Sequence, residues 1–185
     1  MDIYNFLRAL ILPLEEIDSS LPKKGRIVDL GCGEGVITRF IAKNKNRQVI
    51  GVDLDKKRLK NSQLKNLKFK LADIRDYNLK NVDGVILSDV VHHINSNDQD
   101  KVLLNIAKGL KKGGILVIKE IDTKEIIRSL LSRFWDFLFY PSEKIYYSNY
   151  QKLSQKLEDL GFRVSIKRPT RLFPGSTTLF ICKKE

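Results

Sequence analysis

A chain of 185 residues, of which 42% are hydrophobic and 30% charged, suits one folded domain over residues 1–185. The two cysteines, Cys32 and Cys182, are too few for a disulfide framework, and no Cys or His cluster suggests a metal site. We therefore expect a reducing, cytoplasmic setting. No apolar run approaches the roughly 20 residues that cross a bilayer, which predicts no transmembrane segment.

The formal net charge of +12 allows two interpretations. It can mark a nucleic-acid partner, or it can be the surface of a lysine-rich protein that has no such partner. The lysines are scattered through every segment, and no basic block interleaved with aromatic residues is present. We therefore favour the second interpretation and keep nucleic-acid binding as the alternative.

The first 24 residues predict an N-terminal helix and a connector, both outside the alternating core. Apolar residues from Ile3 to Leu14 recur at helical spacing, which predicts an amphipathic helix that bends or ends near Pro13. The stretch from Ser19 to Gly25 is polar and rich in turn-forming residues, as connectors are. The helix is expected either to cover a ligand as a lid or to cap an edge of the sheet.

A glycine-rich turn follows the first predicted strand, Arg26 to Leu30, whose short apolar sequence is typical of a buried parallel strand. Its glycines stand at alternate positions: Gly31, Gly33 and Gly35. A helix is predicted from about Glu34, so its first N–H groups lack partners within the helix and are free to bind a ligand. The glycines have no side chains, so a ligand can lie directly against the backbone there. The spacing G-x-G-x-G after Asp29 differs from the G-x-G-x-x-G of pyrophosphate-binding folds. An acid beside the loop suits a ligand with an ammonium group.

Four further strands are predicted to alternate with helices, and each ends in or near a carboxylate. The strands are Gln48 to Leu54, Leu67 to Leu71, Val82 to Leu87 and Ile115 to Lys119, the last after a Gly113-Gly114 turn. The carboxylates are Asp53, Asp73, Asp89 and Glu120, with Asp29 on the first strand. Helices are predicted from Asp55 to about Gln63 and around an apolar face of Leu103, Ile106, Ala107 and Leu110. This alternation predicts an α/β fold with a parallel sheet that binds ligands at the carboxyl ends of its strands.

The last third of the chain predicts two more helices and a final hairpin. A capping box, Asp122-x-x-Glu125, opens the first helix. The aromatic run from Phe134 to Tyr140 is expected to lie in the core or to line a substrate pocket rather than to enter a membrane surface. A second capping box, Ser148-x-x-Gln151, opens the other helix. The segments Phe162 to Lys167 and Thr177 to Cys182 are predicted to pair at the sheet edge, antiparallel in the last strand.

Three segments resemble the class I S-adenosylmethionine-dependent methyltransferases, and the resemblance extends from Arg26 to Lys183. They are the loop Asp29-x-Gly31-x-Gly33-x-Gly35, the segment Asp83 to Ile94, which is similar to the small-molecule branch of the family, and Leu110-Lys111-Lys112-Gly113-Gly114. The resemblance implies a seven-stranded, Rossmann-like, doubly wound sheet, mostly parallel with the last strand antiparallel, plus the added N-terminal helix. Its parts are the helix and connector at 1–24, a cofactor-binding core at 25–120, a substrate-side helical segment at 121–150, and the last helix and hairpin at 151–185.

The resemblance implies S-adenosyl-L-methionine as the cofactor and a set of residues that bind it. They are Asp29, Gly31, Cys32, Gly33, Gly35, Asp53, Leu54, Asp73, Ile74 and Ser88. The loop residues are implied to hold the methionine moiety, and Asp53 to bond the ribose diol with Leu54 against the adenine. Asp73 and Ile74 are implied to flank the adenine, and Ser88 to lie by the methionyl chain.

The catalytic candidates are His92 and His93, the only histidines in the chain. Transfer of the activated methyl group needs alignment of the acceptor and, where the acceptor is protonated, removal of a proton. Imidazole titrates near neutrality, so either histidine can serve as the general base. The alternative is that both hold the geometry of the turn at the entry of the next helix. Asp89 and Glu120 are weaker candidates for the same task.

We expect the methyl acceptor to be a small molecule. The chain lacks the Asn-Pro-Pro-aromatic tetrad and the Pro-Cys pair of methyltransferases that act on nucleic-acid bases. One alternative is a methyltransferase that uses the basic surface to act on RNA or protein, and another is a module that binds the cofactor without catalysis. A nicotinamide-dependent oxidoreductase is disfavoured by the glycine spacing.

Overall fold

The computed structural model describes residues 12–59, 62–121, 150–169 and 177–185. The strands in these residues are β1 Gly25–Leu30, β2 Arg47–Asp53, β3 Leu67–Leu71, β4 Val82–Ser88, β5 Leu110–Ile121, β6 Phe162–Lys167 and β7 Thr177–Lys184. The helices are α1 Leu14–Ser20, α2 Val36–Ile41, α3 Ser96–Gly109 and α4 Tyr150–Asp159, with a short 3-10 helix at Val91–His93. None of these helices is both long and apolar enough to cross a membrane.

The strands form one sheet with the order β3-β2-β1-β4-β5-β7-β6. Strands β1 to β5 run parallel to one another, and β7 runs antiparallel to both β5 and β6. The prediction of a seven-stranded, mostly parallel sheet with a final hairpin is therefore confirmed. The strand order reverses between β1 and β4, so the chain leaves these two neighbours in opposite directions and a crevice opens at their carboxyl ends.

The side chains of the strands alternate between two faces of the sheet, and helices pack on both. One face carries an apolar cluster that joins the strands to α3 and α4: Val28, Val85, Leu116, Leu103 and Leu157. The other face carries a cluster that joins the strands to α1 and α2: Ile27, Ile86, Val117, Ile17 and Ile41. Neighbouring residues along each strand belong to different clusters, as the two-residue period of a strand requires.

The fifth strand begins earlier than predicted. The sequence places Leu110 on the preceding helix, but α3 ends at Gly109 and Leu110 begins β5. Val82 pairs with Leu110 and Gly84 pairs with Ile115, so several residues of β5 bulge out between these two positions. Gly113 has a φ of +75° inside this bulge. The two glycines therefore shape an irregular start of the strand rather than a separate turn.

The predicted helix from Asp55 to about Gln63 is wrong in the residues that the structure describes there, 55–59 and 62–63. The chain forms turns, in which the N–H groups of Arg58 and Leu59 bond carbonyls three residues back. The Asp55 carboxylate accepts a hydrogen bond of 2.8 Å from the Lys57 N–H, which is a local alternative to a helix. In a helix, Lys56 and Lys60 would be four residues apart on one face and would repel each other.

The N-terminal helix can be compared with its prediction only in part. Residues 3–11 lie outside the described residues, but α1 extends from Leu14 into the predicted connector and ends at Ser20. Three other predicted features also lie outside the described residues: the Asp122-x-x-Glu125 box, the Phe134 to Tyr140 run and Ser148 at the start of the second capping box.

Arg47 fastens α1 to the sheet. Its side chain is buried at the start of β2, where Nε donates to the Pro22 carbonyl at 2.8 Å. The remaining guanidinium nitrogens donate to the Asp18 carboxylate, to the Asp18 carbonyl at 3.0 Å and to the Ile41 carbonyl at 3.4 Å. One guanidinium therefore holds the end of α1, the turn after it and the end of α2 against β2, and its donors are satisfied despite burial.

We predict that Arg47→Leu lowers the free energy of unfolding by about 3 kcal/mol, because it leaves a carboxylate and buried carbonyls without donors. Denaturant titration followed by circular dichroism measures this loss. Arg163→Leu is the matched control, since Arg163 pairs with Glu185 on the exposed surface. We expect the control to lose less than about 1 kcal/mol. Equal losses in the two variants would contradict the anchoring role.

Candidate functional site

A cleft of about 330 Å³ lies at the carboxyl ends of β1 to β4, where the strand order opens a crevice. Its lining includes eight of the predicted site residues: Gly31, Gly33, Asp53, Leu54, Asp73, Ile74, Ser88 and His93. Four other predicted residues are not part of the lining: Asp29, Cys32, Gly35 and His92. The other described residues of the lining are Arg58, Arg75, Asp89, Val90, Ile94, Asn95 and Asp98.

The loop between β1 and α2 holds its three glycines in the left-handed region, with φ of +74°, +54° and +78°. A Cβ atom at Gly35 would lie 2.6 Å from Phe69 Cζ, and one at Gly31 would lie 2.5 Å from Val90 Cγ2. At Gly33 no atom of the described residues lies within 4 Å of the corresponding position. Two glycines therefore allow close packing within the protein, whereas Gly33 leaves room for a ligand against the backbone. The helix α2 begins after the third glycine, slightly later than predicted.

Asp29 lies near the end of β1 beneath the loop, and the thiol of the loop residue Cys32 lies close to Gly51 of β2. Asp29 is 2% exposed, and its carboxylate accepts a hydrogen bond of 2.6 Å from the Thr38 hydroxyl of α2. Burial raises the pKa of the Cys32 thiol well above its ordinary value, and the charges of Asp29 and Asp53 raise it further. The thiol is therefore protonated at neutral pH, and Asp29 joins the end of β1 to α2.

Asp53 holds the loop from the end of the neighbouring strand. Its Oδ2 accepts a hydrogen bond of 2.7 Å from the Gly33 N–H, and its Oδ1 accepts one of 2.9 Å from the Asp55 N–H. The residue is 7% exposed and lines the cleft. Each carboxylate oxygen has a further lone pair, so Asp53 can also accept hydrogen bonds from a ligand.

A charged rim lies at the end of β3. The Asp73 carboxylate accepts a hydrogen bond of 2.9 Å from Arg75 Nε, and Arg75 also reaches Asp98 at 3.5 Å. Hydrogen bonding from Arg75 lowers the pKa of Asp73, so this carboxylate is ionised at neutral pH. Asp98 accepts a bond of 2.7 Å from the Asn95 amide, which lowers the pKa of Asp98. The rim links the end of β3 to the start of α3.

Ser88 and Leu54 leave polar and apolar surface available to a ligand. Ser88 is 8% exposed at the end of β4, and its hydroxyl has no hydrogen-bond partner in the part of the chain that the structure describes. A buried hydroxyl without a partner is unfavourable, and a polar group of a ligand relieves it. Leu54 is 65% exposed, and with Ile74 it gives the cleft an apolar surface.

The turn after β4 is held by buried polar contacts. Glu120 of β5 accepts a hydrogen bond of 3.0 Å from the Val91 N–H, and its other carboxylate oxygen lies 2.6 Å from His92 Nδ1. The Gln99 amide of α3 donates to two carbonyls of the turn, both at 2.9 Å. His92 is buried beneath the cleft, whereas the adjacent His93 lines it. The two imidazoles thus have different surroundings, although they are neighbours in sequence.

The cleft residues that sequence reasoning misses come from turns and a helix end. Arg58 and Arg75 lie in the turns after β2 and β3, and Asn95 and Asp98 lie at the start of α3. The pattern Asn95-x-x-Asp98 is a usable signal, since the Asn95 side chain accepts a hydrogen bond of 3.1 Å from the Asp98 N–H as an N-cap does. The two arginines have no such signal, because nothing in the sequence separates them from the other basic residues.

Residues 2–165 match the family model described as a methyltransferase domain. The carboxy-S-adenosyl-L-methionine synthase of Shewanella sediminis is 34% identical over 106 residues, which are 51% of this chain and 43% of that protein. The chain spans about half the length of the curated relatives it matches, between 43% and 55%.

Two solved structures illustrate the likeness of the fold. A SAM-dependent methyltransferase from Archaeoglobus fulgidus has a TM-score of 0.75 and 20% identity, covering 99% of this chain and 100% of that chain. The magnesium protoporphyrin IX methyltransferase of Synechocystis, solved with bound SAH, has a TM-score of 0.75 and 17% identity, covering 100% of this chain and 89% of that chain. At these identities the comparisons show a shared fold.

We predict that Gly35→Ala destabilises the protein more than Gly33→Ala. Both substitutions place a side chain at a left-handed φ, which costs about 1–2 kcal/mol. Only at Gly35 must the new Cβ also displace the Phe69 ring, which adds about 1–3 kcal/mol. Denaturant unfolding of the two variants measures the difference. Similar losses would contradict the packing role assigned to Gly35.

Proposed function

Because the chain belongs to the family described as a methyltransferase domain and shares the fold of a SAM-dependent methyltransferase, we propose that it binds S-adenosyl-L-methionine in the cleft and transfers the methyl group to a small molecule. The observation that carries the proposal is the meeting of three groups at one edge of the sheet. They are the open backbone at Gly33, the Asp53 carboxylate and the unpartnered Ser88 hydroxyl. The cofactor consists of an amino acid, a ribose and an adenine. Its amino-acid part can lie at Gly33 and bond Ser88, and its ribose can bond Asp53.

The methionine end of the cofactor fits the side of the cleft formed by β1 and β4. The space at Gly33 admits a ligand against the backbone, and the buried Ser88 hydroxyl can donate to a carboxylate or accept from an ammonium group. An unsatisfied buried hydroxyl costs about 1–3 kcal/mol, so a ligand that pairs with Ser88 gains from the contact. In this proposal Asp29, Cys32 and Gly35 act by holding the loop rather than by touching the cofactor.

The nucleoside end fits the side of the cleft formed by β2 and β3. The remaining lone pairs of Asp53 can accept the ribose hydroxyls, and Leu54 and Ile74 offer apolar surface to the adenine. Asp73 is ionised beside Arg75, so it can accept a hydrogen bond from the exocyclic amine of the adenine. The resemblance implied these roles, and the common lining of one cleft supports them.

The cofactor supplies a methyl group that its sulfonium has already activated. The protein therefore has to align the acceptor and, where the acceptor is protonated, take up a proton. We assign uptake of the acceptor's proton to His93, because it is the histidine that lines the cleft. His92 is buried against Glu120, and this pair holds the turn that carries His93. The motif Asp83 to Ile94, which resembles the small-molecule branch, includes the turn and supports a small acceptor.

A second candidate function follows from the relatives named carboxy-S-adenosyl-L-methionine synthases. A carboxylated form of the cofactor would use the same cleft, and a cation near the sulfonium would favour its extra carboxylate. The arginines among the described cleft residues, Arg58 and Arg75, follow β2 and β3, on the side assigned to the nucleoside. We therefore favour methyl transfer over this candidate.

Binding and transfer can be tested separately. Isothermal titration should show binding of S-adenosylhomocysteine and no binding of NAD. A donor labelled in its methyl group is then incubated with metabolite, lipid and RNA fractions of the source cell. Label in a small metabolite or a lipid supports the proposal, and label in RNA contradicts the proposed acceptor class. If the labelled donor itself gains the mass of one carboxyl group, the second candidate is supported. Binding without any transfer indicates a non-catalytic module.

We predict that Asp53→Ala weakens S-adenosylhomocysteine binding at least tenfold, because hydrogen bonds to a charged acceptor contribute about 1.5–3 kcal/mol each. Titration calorimetry measures the affinity. Asp76→Ala removes an exposed acid from the turn after β3 and should leave the affinity unchanged.

An analogue without the ribose 2′-hydroxyl separates ligand contact from support of the loop. The wild-type protein should bind this analogue more weakly than S-adenosylhomocysteine, whereas Asp53→Ala should bind both alike. A variant that still distinguishes the two ligands would show that Asp53 does not contact the ribose.

We predict that Glu120→Gln slows methyl transfer about tenfold and leaves S-adenosylhomocysteine affinity nearly unchanged, because a charge-assisted contact of about 1.5 kcal/mol is weakened. The amide has one acceptor oxygen, so it cannot accept from both the Val91 N–H and His92 Nδ1 as the carboxylate does. Initial rates with a labelled donor and calorimetry measure the two quantities. Glu158→Gln, an exposed substitution on α4, should change neither. A parallel loss of rate and affinity would argue against a role in holding the turn.

A further inference from the structure

One face of the sheet is polar and exposed over β2 and β3. The strand register pairs Arg26 with Gln48 and Ile50 with Lys68, so alternate side chains of β1, β2 and β3 share this face. At β4 and β5 the same face carries the apolar cluster under α3 and α4. At β2 this cluster includes Val52 with Ile50 packed against it, whereas the remaining side chains of this face at β2 and β3 are exposed: Gln48, Lys68 and Lys70.

The connection between β3 and β4 explains why none of the described helices packs on this part of the face. It consists of the ten residues 72–81, which form turns and irregular structure. A helical crossover between parallel strands usually takes a dozen residues or more. Leu79 of the connection packs so closely on Gly109 of α3 that a Cβ there would lie 2.4 Å from it. The connection therefore packs on α3 at Leu79, and its residues 77–80 form one side of a groove over the outer strands without burying Lys68 and Lys70.

The exposed face forms a groove of about 390 Å³. Four exposed cationic side chains line it: Arg26, Lys68, Lys70 and Lys80. No carboxylate is among the described residues of the lining. Asp83, next to the lining residue Val82, is engaged by the Arg26 N–H and by Lys111. The groove therefore concentrates positive charge in a concave surface.

Tyr77 adds an aromatic surface to the groove. Its half-buried ring lies 5.7 Å from Lys70 Nζ, and the Asn105 amide fixes its backbone by donating to the Tyr77 carbonyl at 2.6 Å. The exposed amide side chains of Gln48 and Asn78 also belong to the lining. Cations that follow a phosphate backbone, together with an aromatic ring on which a base can stack, are the features that bind single-stranded nucleic acid.

We propose that this groove binds single-stranded nucleic acid, with phosphates on its lysines and a base stacked on Tyr77. Lys68 and Lys70 are two residues apart on one face of β3, so their Cα atoms are about 7 Å apart and can engage successive phosphates. Arg26 enters the same groove through the register of β1 with β2. The amides beside Tyr77 can donate to or accept from a base edge.

Other partners fit the groove less well. A second copy would bring another chain of net charge +12 against a basic surface. A bilayer surface is broad and flat, so it does not enter a concave groove. An acidic peptide matches the charge but makes no specific use of the Tyr77 ring.

The groove is separate from the proposed cofactor site, since the described residues of the two linings do not overlap. The cleft lies at the carboxyl ends of the strands, whereas the groove extends along one face of β1 to β3 toward their amino ends. Nucleic-acid binding at the groove is therefore a docking activity that does not require the methyl donor. Its failure in an experiment would leave the proposed methyl transfer untouched.

The test is fluorescence anisotropy of the full chain with a labelled oligouridylate of about 15 nucleotides, without methyl donor. Replacing Lys68→Gln and Lys70→Gln together should weaken binding at least tenfold at about 50 mM salt. The slope of log Kd against log salt should fall by about 1.4, at about 0.7 for each phosphate that a lysine no longer neutralises. Tyr77→Leu should weaken binding about fivefold or more without changing that slope, because stacking releases no counterions. A DNA strand of the same length shows whether the 2′-hydroxyl contributes.

The matched control replaces Lys152→Gln and Lys167→Gln together, which removes the same charge from exposed positions on α4 and on the opposite edge strand, β6. Circular-dichroism melting confirms that the variants are folded. We expect the control to bind nearly as tightly as the wild type. Equal weakening in both double variants would overturn the proposal, as would the absence of wild-type binding. Binding of oligoglutamate as tight as that of the oligouridylate would overturn it in favour of an acidic protein partner.

Discussion

The hydrogen bond of 2.7 Å from the Gly33 N–H to the Asp53 carboxylate is the contact on which the cleft depends. It joins the loop after β1 to the end of β2, the adjacent strand. The left-handed glycines take this loop out of any regular ladder, so its N–H groups need acceptors from elsewhere. The carboxylate supplies one and holds the open backbone of the loop in place.

Each of the acids at the carboxyl edge of the sheet forms a hydrogen bond with a nearby donor. The pairs are Asp29 with Thr38, Asp53 with Gly33, Asp73 with Arg75, Asp89 with Lys119, and Glu120 with His92. Carboxylates gathered at one edge repel one another, and a hydrogen-bond donor for each offsets that repulsion. The five acids, which recur at the strand ends in the sequence, therefore form five separate hydrogen-bonded pairs in the structure.

Charge illustrates how tertiary structure changes the meaning of a sequence pattern. The lysines are scattered along the chain, which favours a solvated surface without a partner. The sheet register nevertheless places Arg26, Lys68 and Lys70 along one groove, and the connection before β4 adds Lys80 to it. The alternation of β3 separates Lys68 and Lys70 from Leu67 and Phe69, which pack against the opposite face. No window of sequence shows this grouping, because it depends on which strands are neighbours.

The sequence by itself determined the glycine turn, the final hairpin, the strands apart from the start of β5, and the apolar face of α3 apart from Leu110, because periodicity and turn chemistry act within one segment. It failed at residues 55–59, where the Asp55 carboxylate bonds the backbone and replaces a helix with turns. Only the tertiary structure decided that Asp29 and His92 lie beneath the cleft while Gly33 and His93 face it. Exposure at the end of a strand depends on the neighbouring strands and helices. A rim contact such as that of Arg75 with Asp98 joins residues 23 positions apart, so it has no local signature.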